Sequence, residues 1–71
     1  MKEVYVIENE EGKFFTGVED KSNKPTFSQT LQYAVFFETE SSAYYRLNEL
    51  LVENGYRLSG FYKIERYITF Y

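Results

Sequence analysis

The chain has 71 residues, a formal net charge of −3, seven Phe and eight Tyr, and neither Cys nor His. This length allows one domain, and the missing Cys and His exclude disulfides, the usual zinc ligands, the commonest general base and the best nucleophile. We therefore expect a non-enzymatic protein without cofactor or metal. The acidic charge also disfavours general affinity for nucleic acid.

The same sequence predicts a cytoplasmic protein with a single domain at residues 1–71. No apolar run approaches the roughly 18 residues of a membrane-spanning helix. The N-terminal residues MKEVYVIENEEGK lack the long apolar segment of a signal peptide. The absence of Cys agrees with a reducing compartment.

The first predicted element is a β-strand at residues 3–8. Its VYVI segment is β-branched and aromatic and is apolar at both parities, which indicates a strand with both faces partly covered. Gly12 in the following NEEG supplies the positive φ of a short hairpin loop, and residues 13–18 form the return strand. Alternation along that strand puts Phe14, Thr16 and Val18 on one side and Phe15 and Gly17 on the other.

Two less regular segments follow the hairpin. Residues 19–28 read EDKSNKPTFS, a polar run with the only Pro, and are predicted to form a surface loop suited to recognition. The apolar run LQYAVFF at residues 31–37 fits either a short strand or an extended segment that leads into a helix.

Residues 40–54 are predicted to form that helix. Thr39 is a typical N-cap, Glu40 places a negative charge in the first turn, and Gly55 suits the C′ position. The spacing of apolar residues predicts a buried face, with Tyr44 on its flank, and an opposite hydrated face. The buried face comprises Ala43, Leu47, Leu50, Leu51 and Asn54, and the hydrated face comprises Arg46, Asn48, Glu49 and Glu53.

Residues 61–71, FYKIERYITFY, are predicted to be the last strand. Alternation separates an apolar set of side chains, expected to face the helix with Arg66 reaching the edge, from a mixed set of rings and charges on the outer face. The first set is Tyr62, Ile64, Arg66, Ile68 and Phe70, and the second is Phe61, Lys63, Glu65, Tyr67, Thr69 and Tyr71.

Together these elements predict an α+β domain in two layers. It comprises a small, mainly antiparallel sheet of three to four strands in the arrangement ββ(β)αβ, with one helix packed on one face. The strand order stays open at this stage, and it decides whether the rings of the hairpin and of the last strand form one patch.

The abundance of Tyr favours protein binding as the function. Exposed Tyr provides a large contact area at low entropic cost, and the interior of so small a chain has little room for eight such rings. Acidic residues in the first half would steer the protein toward a basic groove. The predicted contact residues are Tyr45 on the helix, Lys63, Tyr67 and Tyr71 on the outer sheet face, and Glu10, Glu11 and Asp20 at an acidic edge.

Two other readings remain open. The rings beside Lys63 could stack single-stranded bases or a nucleotide signal, although Glu65 interrupts that basic patch and no RRM signature occurs. An unpaired edge strand or the exposed rings could instead form a homodimer. For any single Tyr, completion of the small core competes with a role in binding.

Four stretches also carry a resemblance in layout. They are the immediate strand VYVI, the hairpin EEGKFF, the approach AVFFET into a helix with SSAYYRL, and the final strand KIERYITFY. In this layout the chain resembles small α+β proteins encoded by bacteriophages and other mobile elements, some of which inhibit host polymerases or CRISPR-type defence enzymes. The resemblance to these anti-CRISPR-like proteins implies an inhibitor that occludes a site on a host or bacterial-defence protein, in a bacterial cytoplasm.

Overall fold

A computed structural model describes residues 2–22, 24–55 and 61–69. In these residues four antiparallel strands form one sheet with a helix on one face, which confirms the predicted α+β fold. The elements are β1 (Lys2–Asn9), β2 (Phe14–Val18), β3 (Pro25–Ser28), a 3₁₀ turn (Leu31–Tyr33), α1 (Glu40–Glu53) and β4 (Tyr62–Thr69). The strand order across the sheet is β3-β2-β1-β4.

Strand β1 is the centre of the sheet because it pairs with β4 along its whole length and with β2 at the hairpin. Ile7 lies opposite Ile64, and both belong to the cluster that packs under α1. The side chains of the other parity therefore lie on the face turned away from α1, which we call the open face. Val4 and Val6 are buried on that face, so β1 is covered on both sides, as expected.

Residues 19–28 do not form the continuous loop that their polarity predicted. The Glu19 N–H donates to the Lys24 carbonyl (2.9 Å), and β3 then pairs with β2. Pro25 is the first residue of this edge strand, one of the few sheet positions that tolerate a missing N–H. The polar composition of β3 agrees with its position at the edge of the sheet, where its residues are only partly buried.

Residues 31–37 adopt the second of their two predicted roles. After the 3₁₀ turn, Val35 donates its N–H to the Phe15 carbonyl of β2 (2.9 Å). Phe37 and Tyr5 of β1 exchange two backbone hydrogen bonds of 2.8 and 2.9 Å. The extended segment thus fills the gap where β1 and β2 diverge and leads the chain into α1.

A bulge in β2 changes the predicted alternation. Phe15 pairs with Phe27 and Gly17 with Thr26, so the register shifts between Phe15 and Gly17. Val18 consequently lies on the same side as Phe15 and packs against the core, so the prediction that it shares a side with Phe14 and Thr16 is wrong. Gly17 has φ 145°, a value that side chains with a Cβ rarely adopt.

The helix α1 has the predicted caps. The Thr39 hydroxyl accepts the Ser42 N–H (3.1 Å), and Gly55 ends the helix with φ 60°. Ala43 and Leu50 are fully buried with Ile7 and Phe15 in one cluster. Within the described ranges, no helix has the length and apolar character that crossing a bilayer requires.

Candidate functional site

The open face carries a row of charged and aromatic side chains from β1 and β4. Glu8 lies opposite Lys63, Val6 opposite Glu65, and Val4 opposite Tyr67. The predicted outer position of Lys63 and Tyr67 is therefore confirmed by the register. Tyr71 and Phe70 lie outside the described residues.

Tyr67 is partly buried because its ring packs against Phe14. The two ring centroids are 6.0 Å apart at 81°, an edge-to-face pair. Phe14 belongs to β2 and Tyr67 to β4, on opposite sides of β1, so the two rings must lean toward each other over the strand between them. This explains why Val6 is buried on the face without a helix, and it makes Tyr67 partly a structural residue.

Glu8 is a buried carboxyl group at one end of this ring pair. Its Oε2 atom is inaccessible and has no hydrogen-bond partner among the described residues. Burial raises the pKa of Glu8, nearby Lys63 opposes that rise, and Glu65 adds to it. The carboxylate is thus held in an unfavourable environment at neutral pH.

Lys63 is engaged by Glu65 on the same strand. The two charged groups are 3.0 Å apart, and the hydrogen bond to Glu65 raises the pKa of Lys63. Lys63 also lines a depression of about 250 Å³ together with Glu10 and Phe61. Phe61, which is 83% exposed, is the most exposed of the large apolar side chains that the structure describes.

The outward face of α1 carries a second candidate site, which we call the helix stripe. Its members are Tyr45, Asn48, Glu49, Val52 and Glu53, and they line a shallow groove of about 400 Å³. Tyr45 is 69% exposed and Val52 is 60% exposed. These two residues are seven apart, so they lie on one side of the helix, about two turns from each other.

Arg46 borders the helix stripe and was wrongly predicted to point to water. Its guanidinium lies 5.9 Å from the centroid of the buried Phe15 ring, and its Nη1 atom is 3.6 Å from a carboxylate oxygen of both Glu49 and Glu53. Stacking on the ring covers the guanidinium, so Arg46 is only partly exposed. It thereby holds the two carboxylates along one margin of the stripe.

The remaining predicted contact residues do not join one patch. Glu10 lies near Lys63 and the phenol of Tyr62, whose pKa is raised by burial and then by Glu10. The carboxylate of Glu11 is 3.5 Å from the Lys13 ammonium in the same hairpin. Asp20 is in the turn after β2, at the opposite end of the sheet, because successive turns of a meander alternate ends.

Sequence reasoning missed Val52, Glu8 and the exposure of Ile68. Val52 is seven residues after Tyr45 and opposite the buried face of the helix, a signal that helical periodicity could have supplied. Ile68 was expected to face α1, but it is 51% exposed. It lies opposite Glu3, beyond the part of the sheet where Ile7 and Ile64 meet the helix.

No protein-family model, curated protein or solved structure matches this chain. In residues 2–22, 24–55 and 61–69, no three acidic side chains gather where they could hold a metal ion. The arguments for function below therefore rest on exposure, charge and hydrogen bonding at the open face, the helix stripe and the sheet edges.

Proposed function

We propose that the protein is a non-enzymatic protein-binding module that covers a site on its partner with the helix stripe. The observation that carries this proposal is the joint exposure of Tyr45 and Val52 on one side of α1. An exposed aromatic ring beside an aliphatic side chain is the composition of an interface core. Neither side chain belongs to the buried cluster that holds the fold together.

The charges around the stripe favour a cationic rim on the partner. Glu49 and Glu53 share the single cation Arg46, so the margin of the stripe keeps an excess negative charge. A partner surface with an apolar pocket for Tyr45 and basic residues beside it would be complementary. The net charge of the whole chain, −3, would steer association in the same direction.

Base stacking on the open face has less support as an alternative function. Lys63 is paired with Glu65 at 3.0 Å and is close to Glu8, so the face offers little net positive charge to a phosphate backbone. Tyr67 is committed in part to the Phe14 ring. Phe61 alone presents a largely uncovered ring there among the described residues.

An inhibitor of a host or bacterial-defence protein is the biological role that we assign to this binding surface. The support is the resemblance in layout to phage-encoded proteins, together with the exposed apolar and acidic side chains of the helix stripe. The cytoplasmic location and the phage origin both stay predictions.

Affinity capture with matched variants tests the proposal. Wild-type protein and the double variant Tyr45→Ser/Val52→Ser are immobilised and exposed to bacterial lysate, and the retained proteins are quantified by mass spectrometry. We expect the double variant to retain the specific partner at least about tenfold less, because truncation of a tyrosine at the centre of an interface often costs about 2 kcal/mol or more. Both exposed substitutions should leave the thermal unfolding midpoint nearly unchanged.

Tyr33→Ser provides the control. Tyr33 is also strongly exposed, but it lies in the 3₁₀ turn and not on α1, so its loss should leave capture intact. Equal retention by the wild-type protein and the double variant would refute the role of the helix stripe. Salt-sensitive retention of oligonucleotides in place of a protein would favour the base-stacking alternative.

A further inference from the structure

Three residues on the outer edge of β4 carry backbone groups that the described chain does not use. Tyr5 directs its N–H and carbonyl to Phe37, away from β4, so Tyr5 and Arg66 form a pair without mutual hydrogen bonds. The N–H and carbonyl of Arg66 therefore point outward. Ile64 and Ile68, two residues to either side, share this direction, and no described residue bonds to the outward groups of the three.

Uncovered apolar side chains flank this edge on the helix side of the sheet. Ile68 has the same parity as the core residue Ile64 but is 51% exposed. Arg46 lies over Phe15 of β2, so the opposite flank of α1, which carries Tyr44, is turned toward β4. Tyr44 is 50% exposed.

Tyr44 and Ile68 lie toward the same end of the sheet. Glu38, two residues before α1, has its Oε1 atom 3.4 Å from the Nζ atom of Lys2, and Lys2 is paired with Thr69 at the end of β4. The first turns of the helix therefore lie toward this end. Two half-exposed apolar side chains thus border a stretch of edge whose hydrogen-bonding groups are unused.

We propose that an extended segment of a partner protein pairs antiparallel with residues 64–68 and becomes a fifth strand of the sheet. Backbone hydrogen bonds supply the affinity, and every second partner side chain reaches the helix side. The proposal concerns a surface separate from the helix stripe and does not depend on it.

The side chains of β4 indicate which segment fits. Apolar partner residues opposite Ile64 and Ile68 extend the apolar surface that is left uncovered there. An acidic partner residue lies between them, opposite Arg66, whose guanidinium is exposed and has only the exposed Glu3 as its partner, at 3.4 Å. The segment therefore has the pattern apolar-x-acidic-x-apolar.

A second copy of the chain is a poorer occupant of this edge. A two-fold axis at Arg66 or at Glu65 places like charges directly opposite each other, which destabilises a strand pair. An axis at Ile64 extends the ladder to Tyr62, which already has a further interaction within the chain. A separate segment can instead supply a complementary residue at each position.

The peptide acetyl-TVTEKVE-amide tests the proposal, because in the antiparallel register its two valines lie opposite Ile64 and Ile68 and its first glutamate lies opposite Arg66. Its lysine and last glutamate lie opposite Glu65 and Lys63. Titration followed by NMR should give saturable amide shifts along β4 and slower hydrogen exchange of the three outward N–H groups. The variant Tyr45→Ser/Val52→Ser should bind this peptide as the wild-type protein does.

Three outcomes of the titration would overturn the proposal. They are the absence of saturable shifts up to several millimolar peptide, shifts confined to the helix stripe, and self-association of the protein through β4 without peptide, which sedimentation equilibrium detects.

N-methylation of single peptide amides tests the hydrogen bonds without altering the protein. The N–H of the first glutamate points to the carbonyl of Arg66, whereas the N–H of the lysine points to solvent. Methylation of the glutamate N–H should weaken binding at least about tenfold, because it removes a hydrogen bond and puts a methyl group between the strands. Methylation of the lysine N–H should change binding less than about threefold. Equal effects would refute strand pairing.

Substitution of Arg66 tests the same contact from the side of the protein. Arg66→Pro removes the outward N–H and leaves the hydrogen bonds to β1 in place, and Arg66→Ala is the matched control that keeps the N–H. We expect the proline variant to bind the peptide at least about tenfold more weakly than the alanine variant. Undiminished binding by a folded Arg66→Pro variant would overturn the proposal.

A change of charge in both molecules tests the register. A peptide with lysine in place of its first glutamate should bind the wild-type protein about three- to tenfold more weakly, because that lysine lies opposite Arg66. Arg66→Glu should reverse the preference between the two peptides. An unchanged preference in Arg66→Glu would refute the assignment of an acidic partner residue to this position.

Discussion

Strand β3 forms one edge of the sheet and β4 forms the other, and the two edges are protected to different degrees. Strand β3 has four residues, begins with Pro25, and pairs with a strand that is bulged at Gly17. Strand β4 has eight residues without Pro, Gly or a bulge in its pairing with β1. Short, proline-bearing and bulged edges resist further pairing, so the comparison identifies β4 as the edge available to another strand.

The two edges also differ in how the core holds them. The side of the sheet with β3 is attached through Phe15, which is 1% exposed and contacts the Phe27 ring at 6.2 Å between centroids. The side with β4 contributes Tyr62 and Ile64, which are partly buried. Phe27 and Tyr62 stack at 6.0 Å, so the sheet curls over the core and the two edge strands touch through their rings.

The largest expected effect comes from removing the ring that anchors the β3 side. Phe15→Ala should lower the free energy of unfolding by about 3–5 kcal/mol, because the Phe15 ring is fully buried. Ile64→Ala should lower it by about 1–2 kcal/mol, because Ile64 is only partly buried. Urea denaturation followed by circular dichroism measures both. In a domain this small, the first variant should be largely unfolded in water. Equal losses would show that the two sides are held alike.

A pair of proline variants in β4 tests which backbone groups face outward. Tyr5 exchanges its backbone hydrogen bonds with Phe37, away from β4, so the N–H of its partner Arg66 faces outward and the N–H of Tyr67 belongs to the β1 ladder. Tyr67→Pro should therefore cost about 3 kcal/mol or more, whereas Arg66→Pro should cost about 1 kcal/mol. The measurement is again the free energy of unfolding, at a protein concentration where the chain is monomeric. If Arg66→Pro proves as damaging as Tyr67→Pro, the outer edge of β4 is not free.

Substitution at the bulge addresses the protection of the β3 edge. Gly17→Ala should destabilise the protein by about 1–2 kcal/mol, because φ 145° strains a residue with a Cβ. Apart from Gly17 itself and its two chain neighbours, no residue has an atom within 4 Å of the added Cβ, so the cost arises in the backbone conformation. Gly12→Ala provides the comparison, because Gly12 also has a positive φ, 78°, but lies in the hairpin turn outside the bulge. An unchanged thermal midpoint for Gly17→Ala would contradict this account.

The smallest expected effect concerns Glu8, at one end of the ring pair that joins β2 to β4. Burial raises its folded pKa above the usual value of 4.5, so protonation favours the folded state. Its contribution to stability therefore increases as the pH falls through the folded pKa, and it is complete below the unfolded value.

Glu8→Gln isolates this contribution. The variant should match or exceed the stability of the wild-type protein by up to about 1 kcal/mol at pH 7, and the difference should shrink as the pH falls toward 5. Thermal unfolding over that pH range measures it, with the exposed Glu10→Gln as the control. A difference that grows on acidification would contradict a raised pKa.

The sequence alone determined the elements whose signals are local. The caps at Thr39 and Gly55, the helix between them and the strands at β1 and β4 were predicted because each depends on a few neighbouring residues and on the periodicity of apolar side chains. The outer positions of Lys63 and Tyr67 followed from the same alternation. The α+β class follows from this order of elements.

Only the tertiary structure decided the features that depend on contacts between distant residues. The bulge that turns Val18 inward, the edge strand at β3, and the Phe14–Tyr67 pair that covers β1 each require a partner strand whose position the local sequence does not specify. Tyr45, Tyr67 and Asp20 were predicted as contact residues on the helix, the outer sheet face and an acidic edge, and only the strand order shows that Asp20 lies at the end of the sheet opposite Glu10 and Glu11. Alternation assigns a side chain to a face, whereas the neighbours that cover that face come from the folding of the whole chain.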